Sequence, residues 1–358
     1  MFLSGNDGFS SNYQSDIEFR VHEGEEFETY GWPYRLAYPL VIFTIIWALC
    51  KKITYRLLWG EDPDTNCFLY DWEGSQGEKV KKNSASWKAL DLLYNYESNF
   101  DCRSLSSWWN NLWNTIETFW MTSRNGQAVR NRFIISKRLL RKEIKRAAEN
   151  KDITKILSLA SGSAEAIIQV VAEMNQQLSG TKVQAHLVDI KRGALEKAKE
   201  MARKHEVRDK VTVEQTTVGN VLDAVASPAP IEPRHSAPRR EKLLSPDSLR
   251  WSAAGLGEYQ PIISEMFGFM DYLPDEKAKQ YMKQIRVIMN DEGAFLTCNI
   301  LPNLEMFFLS YVVDWYMLYR SKKELAELPL RSGFKTASVH IEPEGIHGSV
   351  VARKNTRS

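Results

Sequence analysis

The sequence predicts an α/β protein, a doubly wound sheet with a C-terminal antiparallel hairpin, preceded by a mostly helical N-terminal region. Three observations predict it. A short apolar strand, Ile156-Leu157-Ser158-Leu159, runs into a turn of small residues at 160–164. A helix follows, with Ile167, Val170, Val171, Met174 and Leu178 at helical spacing on one face. A second strand, Val183-Gln184-Ala185-His186-Leu187-Val188-Asp189, ends in an acid about 25 residues after that turn, the spacing of a nucleotide-binding βαβ unit. Near the end, two β-rich runs at 336–342 and 348–353 flank Pro343-Glu344-Gly345-Ile346-His347, which has the turn chemistry of a hairpin.

Length and composition bound the rest. With 358 residues and 43% hydrophobic content, the chain can form one large α/β domain plus an additional layer. The 47 basic residues against 45 acidic give a net charge of +2, so no nucleic-acid partner is expected. Four scattered cysteines (Cys50, Cys67, Cys102, Cys298) lack CxxC spacing. They fit a reducing, cytoplasmic compartment and argue against a disulfide framework or a zinc site.

Residues 1–35 read as a flexible tail, acidic and poor in aliphatics up to residue 28. Residues 36–150 read as a helical N-terminal cap with apolar and aromatic helices. Its first helix, 36–50, carries no charge and is followed by Lys51, Lys52 and Arg56. Fifteen residues at ~1.5 Å each reach roughly 22 Å, short of a ~30 Å hydrocarbon core. A buried helix, an interfacial helix and a short span therefore all stay open. The bases and aromatics at 53–59 make peripheral membrane contact through 36–59 one of the readings. Residues 60–82 read as a polar loop, and 84–96 and 105–121 as helices. Residues 123–127 read as a short break, and 128–149 as a basic amphipathic helix. The positive run in that helix (Arg130, Arg132, Lys137, Arg138, Arg141, Lys142, Lys145, Arg146) is a solvated face or a site for a phosphate or membrane partner.

The domain at 151–358 continues with a helix at 191–204 and a third strand at 211–215. Residues 224–259, rich in Pro, Ala, Arg and Ser, read as an inserted loop and a candidate lid. A fourth strand and its loop follow at 261–273, then a helix opened by Pro274-Asp275 and a fifth strand at 294–299. Residues 303–320 read as an aromatic helix, and Ser321 with Glu324 as a capping box for the next one.

In these residues the chain resembles the class I S-adenosylmethionine-dependent methyltransferases, a Rossmann-like superfamily, over about residues 130–358. The family motif Asp/Glu-x-Gly-x-Gly-x-Gly stands here as Ser158-Leu159-Ala160-Ser161-Gly162-Ser163-Ala164. Only Gly162 of its three glycines is kept, and Ser158 replaces the acid. The segment 267–273 also looks like the loop after strand four in a bacterial-type subgroup, some of whose members act on fatty acids. The resemblance implies S-adenosyl-L-methionine as cofactor. Ala160, Ser161, Gly162 and Ser163 would lie under its amino-acid moiety, and Asp189 with Ile190 would hold the ribose. Asn220 and Val221 would flank the adenine, with Met266, Phe267 and Gly268 at the reacting end. Asn299, Asn303, Phe307 and Trp315 are then the acceptor-contact candidates.

Methyl transfer from a sulfonium needs alignment and exclusion of water more than acid–base groups. No metal is expected. Asp271, Tyr272 and His347 are the candidates for a catalytic role. A small-molecule or lipidic hydrophobic acceptor in an aromatic pocket is the leading expectation. The rivals are a Rossmann-like protein for another nucleotide and a non-catalytic, membrane-associated binding protein.

Overall fold

The computed structural model describes residues 16–28, 32–61, 63, 76–96, 121, 123–226 and 260–355. The expected helix at 105–121 (Met121 apart), the tail up to residue 15 and the insertion from 227 to 259 lie outside the described residues.

Eight strands form one sheet: β1 (Ile17–Val21), β2 (Ile153–Leu159), β3 (Lys182–Asp189), β4 (Val211–Gln215), β5 (Ile263–Met266), β6 (Ala294–Ile300), β7 (Thr336–Ile341) and β8 (His347–Arg353). Their spatial order is β1-β7-β8-β6-β5-β2-β3-β4. All neighbours are parallel except where β8 meets β6 and β7. The helices are α1 (Trp32–Trp59), α2 (Gln76–Lys82), α3 (Trp87–Tyr94), α4 (Arg124–Ala148), α5 (Glu165–Gln177), α6 (Arg192–Lys204), α7 (Val218–Ala226), α8 (Asp275–Ile288), α9 (Met306–Tyr311) and α10 (Lys322–Arg331).

Sheet strands buried on both faces need an apolar layer on each side. Ile156 of β2 packs toward Ile135, Ile168 and Met201 on α4, α5 and α6. Leu157 and Leu159 pack the other way, with Leu222, Met282 and Leu325 on α7, α8 and α10. This is the expected doubly wound sheet with a C-terminal hairpin. The chain runs outward from β2 to β3 on one side and resumes at β5 on the other. Such a reversal opens a crevice at the carboxyl ends of the strands.

A third apolar cluster joins the N-terminal helices to that end of the sheet. It holds Val41 and Ala48 of α1, Ala89 and Leu93 of α3, and Phe308 and Leu309 of α9.

Five expectations need correction. The tail at 1–35 is anchored within its described part. β1 lies along the edge of β7, Phe27 is buried, and the Glu28 carboxylate accepts from Arg130 Nε at 2.6 Å. The alternation Ile17-Glu18-Phe19-Arg20-Val21 suits an edge strand, and pairing there covers otherwise open backbone. α1 runs well beyond residue 50, because Lys52 is turned inward and donates to Asp314 Oδ1 at 2.9 Å and to the Tyr316 hydroxyl at 3.0 Å. The break at 123–127 and the loop at 60–82 both contain helix. Ser123 accepts from Gly126 N–H and caps α4, and α2 begins at Gln76.

The aromatic helix at 303–320 is the largest difference. Only Met306–Tyr311 is helical. Asp314 takes a left-handed φ of 56°, and the chain then crosses the end of the sheet as an extended strap. Tertiary bonds outcompete the helix: Leu318 N–H donates to Asp271 O at 2.7 Å, and Arg320 N–H to Ile300 O at 3.2 Å. The buried Arg320 guanidinium ties the strap down through Met270 O at 2.9 Å and Asp275 at 3.0 Å. The capping box of Ser321 and Glu324 is present as expected.

Candidate active site

A cavity of ≈ 390 Å³ opens at the crevice between β2 and β5. Its floor is the turn after β2. Ala160, Gly162 and Ala164 all adopt left-handed φ, at 54°, 57° and 52°. These are the three positions at which the motif that the turn resembles has glycine, and the backbone takes a glycine-like conformation at all three although two of the residues are alanine. A left-handed L-residue costs roughly 1–2 kcal/mol, against an entropic cost for glycine of about 0.5–1. Ala160→Gly and Ala164→Gly are therefore each expected to stabilise the protein, by up to about 1 kcal/mol, in denaturant titrations. A loss of stability in both would show the alanine methyl groups to be packed rather than strained. At Gly162 a Cβ would add to the left-handed strain a tight approach of 3.3 Å to Trp87 Cβ.

The turn presents ligand-ready groups. α5 begins after Ala164 without a side-chain cap, so its first N–H groups are open to an acceptor. The Ser161 hydroxyl has no hydrogen-bond partner among the described residues. Asp189, at the end of β3, accepts from Gly162 N–H at 2.9 Å and from Lys191 N–H at 2.7 Å. Its carboxylate thus fastens the turn to the neighbouring strand. α3 covers the turn: Trp87 stands over Gly162, and Leu90 lies 3.7 Å from where Gly268 would carry a Cβ.

The motif acid missing at Ser158 has a counterpart across the sheet. β2 and β5 are in register at Ser158 and Glu265, and the Ser158 hydroxyl donates to the Glu265 carboxylate. Phe267 N–H donates to its other oxygen at 2.9 Å. Burial pushes the Glu265 carboxyl up to about 7, against the pull of these two donors. Glu265 lines the cavity.

The far end of the cavity is apolar with a few buried polar groups. Tyr272 accepts from Trp315 Nε1 at 2.7 Å. Arg132 donates to the Tyr94 hydroxyl at 3.1 Å and lies 3.9 Å from Asp271. Burial pulls its pKa down, but Tyr94, Cys298 and Asp271 outweigh that and keep it charged. Asp271 is raised by burial, which Arg132 and the Ile300 N–H only partly offset. His347 is 3% exposed, and neither ring nitrogen has a partner among the described residues. Burial, then Arg132, holds its pKa well below the ordinary value, so the ring is neutral.

The cavity wall brings together Ala160, Ser161, Gly162, Ser163, Asp189 and Ile190 on the donor side. Phe267, Gly268, Asp271, Tyr272, Trp315 and His347 join them farther in. Six expected residues are not on the wall. Met266 and Val221 are core residues. Asn220 is exposed, its amide held by Thr216 at 3.3 Å. Asn299 is buried and spends its amide on Ile300 O and Leu318 O, which secures the strap. Asn303 shapes its own loop by accepting from Glu305 N–H at 2.9 Å. Phe307 is 43% exposed and stacks on Tyr311. His347 is the first residue of β8 rather than part of the turn before it.

The N-terminal contribution was not foreseen residue by residue. Asn125, Val129, Arg132, Phe133 and Ser136 face the cavity from α4 at helical spacing, a pattern readable in the sequence but masked by the run of bases. Much of that run is used internally, as in Arg141 with Glu173 at 2.7 Å and Lys137 with Gln169 at 2.7 Å.

Neither a protein-family model nor a curated protein matches this sequence. Several solved structures are similar to this chain at low sequence identity. A possible exported protein from Bordetella parapertussis is 11% identical, with 88% of this chain and 97% of that chain covered at a TM-score of 0.55. Magnesium protoporphyrin IX methyltransferase (ChlM) from Synechocystis PCC 6803 with bound SAH is 8% identical, covering 77% and 97% at 0.44. An O-methyltransferase family protein from Burkholderia thailandensis is 10% identical, covering 66% and 61% at 0.40.

Proposed function

We propose that the chain is an S-adenosylmethionine-dependent methyltransferase acting on a small or lipidic hydrophobic acceptor. The observation that carries the reading is the turn at 160–164. It keeps left-handed backbone at all three motif positions, is clamped by Asp189 and opens into the same cavity as an apolar chamber. Strain of this kind persists where a site depends on it.

The residues present fit the donor. The open N–H groups of α5 and the Ser161 hydroxyl suit a carboxylate, Asp189 suits ribose hydroxyls, and Glu265 suits a cationic ammonium. When bound, the donor supplies a methyl group already activated by its sulfonium. Leu90, Leu93, Val129, Ile300, Leu309 and Met317 keep water from the chamber and favour an apolar acceptor. Where the acceptor atom carries a proton, the one basic nitrogen of the neutral His347 ring, on the chamber wall, is placed to receive it, as a base weakened by burial and Arg132.

Calorimetry with S-adenosylmethionine, S-adenosylhomocysteine and NAD tests the assignment. Binding of the first two and not the third is expected, followed by transfer of a labelled methyl group into material extracted by organic solvent. NAD binding without binding of either sulfur compound would replace this reading with a dinucleotide site. Donor binding with no transfer to any extractable lipid or small molecule would remove the acceptor class.

A further inference from the structure

The apolar surface of α1 has no role in the site just described. Its inner face is narrow: Val41, Thr44, Ala48 and Lys52 point inward at helical spacing, toward α9 and the strap. Its outer face is broader and more apolar. Phe43 is 64% exposed, Leu57 80% and Leu58 64%, with Ile42, Ile46 and Ile53 in line between them. A helix that is apolar nearly all round belongs in a protein interior or at a membrane. None among the described residues is long and apolar enough to cross one.

Charge separates these possibilities. Trp32–Trp59 contains no acid, and besides Lys52, which is turned in toward Asp314, it carries Lys51 and Arg56. Lys51 Nζ sits 5.3 Å from the Trp47 ring and 6.0 Å from the Tyr55 ring, a grouping suited to the headgroup boundary. The inner face of α1 packs on α9 and the strap, and Trp315 and Met317 of the strap line the acceptor end of the cavity, so α1 lies between that end and whatever its outer face meets.

We infer that the outer face of α1 is a docking surface for an anionic lipid bilayer. The helix lies in the interface plane, sinking Phe43, Leu57 and Leu58 among acyl chains while Lys51 and Arg56 meet the headgroups. This holds the chamber end of the cavity at the bilayer. The lipidic acceptor rests on the function proposed above; the docking surface does not.

The test uses the full-length chain without donor. It is expected to sediment with vesicles of phosphatidylcholine and phosphatidylserine, and far less with phosphatidylcholine alone or in high salt. Phe43→Glu with Leu57→Glu should weaken vesicle binding at least about tenfold, since each removes a large apolar side chain from the interface. Lys51→Glu with Arg56→Glu should abolish the preference for phosphatidylserine. Melting temperature and donor calorimetry of each variant should match wild type, which separates this result from any failure of the methyltransferase assignment. Three outcomes overturn the proposal. One is absence of vesicle binding by the wild type. Another is a wild-type dimer that the Phe43/Leu57 variant dissolves, meaning a second copy covers the face. The third is a collapse of the variant's melting temperature without wild-type vesicle binding, meaning that the chain itself covers it.

Discussion

Asp189→Ala is expected to abolish measurable donor binding and to weaken the fold. The Asp189 carboxylate accepts from Gly162 N–H and Lys191 N–H at 2.9 and 2.7 Å, so its removal leaves two backbone donors without their acceptor. Hydrogen bonds to a charged group contribute about 1.5–3 kcal/mol each, and the two together roughly 3 kcal/mol or more. The Gly162 bond also fixes the left-handed turn, so the donor loses both the ribose acceptor and the shaped backbone. Loss of two ribose bonds of similar strength corresponds to at least about a hundredfold in affinity. Asp189→Asn keeps the shape and one acceptor oxygen, and should fall between the two. Denaturant titration reads the first effect and donor calorimetry the second. A stable Asp189→Ala protein with wild-type affinity would take this residue out of the site.

The parts of this site that were legible in the sequence are local. The small-residue run at 160–164, the apolar strand before it and Asp189 at the end of the next strand each declare themselves within a few residues. The late hairpin does so too. What was not legible depends on partners far away in the chain. The aromatic run at 303–320 has helical spacing, but Asp271 O and Ile300 O offer its backbone better partners than a helix does. Arg132 sits in a run of bases, and nothing local marks it as the one turned toward Tyr94 and Asp271. The Asn220–Val221 pair came from the resemblance alone. α7 turns Val221 into the core and leaves Asn220 outside the cavity wall. The strand at 17–21 is short and half apolar, and only the free edge of β7 gives it a place.

The relocated acid is the least local feature and leads to a pH signature. Ser158 in place of the motif acid reads as a loss in the sequence, yet the parallel register sets Glu265 opposite it. The Glu265 carboxyl is buried and raised from 4.5 to about 7. Its folded pKa lies above its unfolded one, so the stability it contributes is fully present below pH 4.5 and is lost as pH rises through about 7. A shift of that size corresponds to roughly 3 kcal/mol. Glu265→Gln keeps the size and the contact with Ser158 but cannot ionise. The donor-free variant is therefore expected to be more stable than wild type at pH 8, with the difference fading toward pH 4.5. Chemical denaturation of both proteins across that range measures it. The donor's positive charge should also draw Glu265 into its ionised form, so binding near pH 7 should release a proton. In calorimetry that release appears as a heat that varies with the ionisation enthalpy of the buffer, in wild type and not in Glu265→Gln. Parallel stability curves for the two proteins would mean that Glu265 does not titrate in this window. Equal buffer dependence of their binding heats would mean that the proton comes from elsewhere.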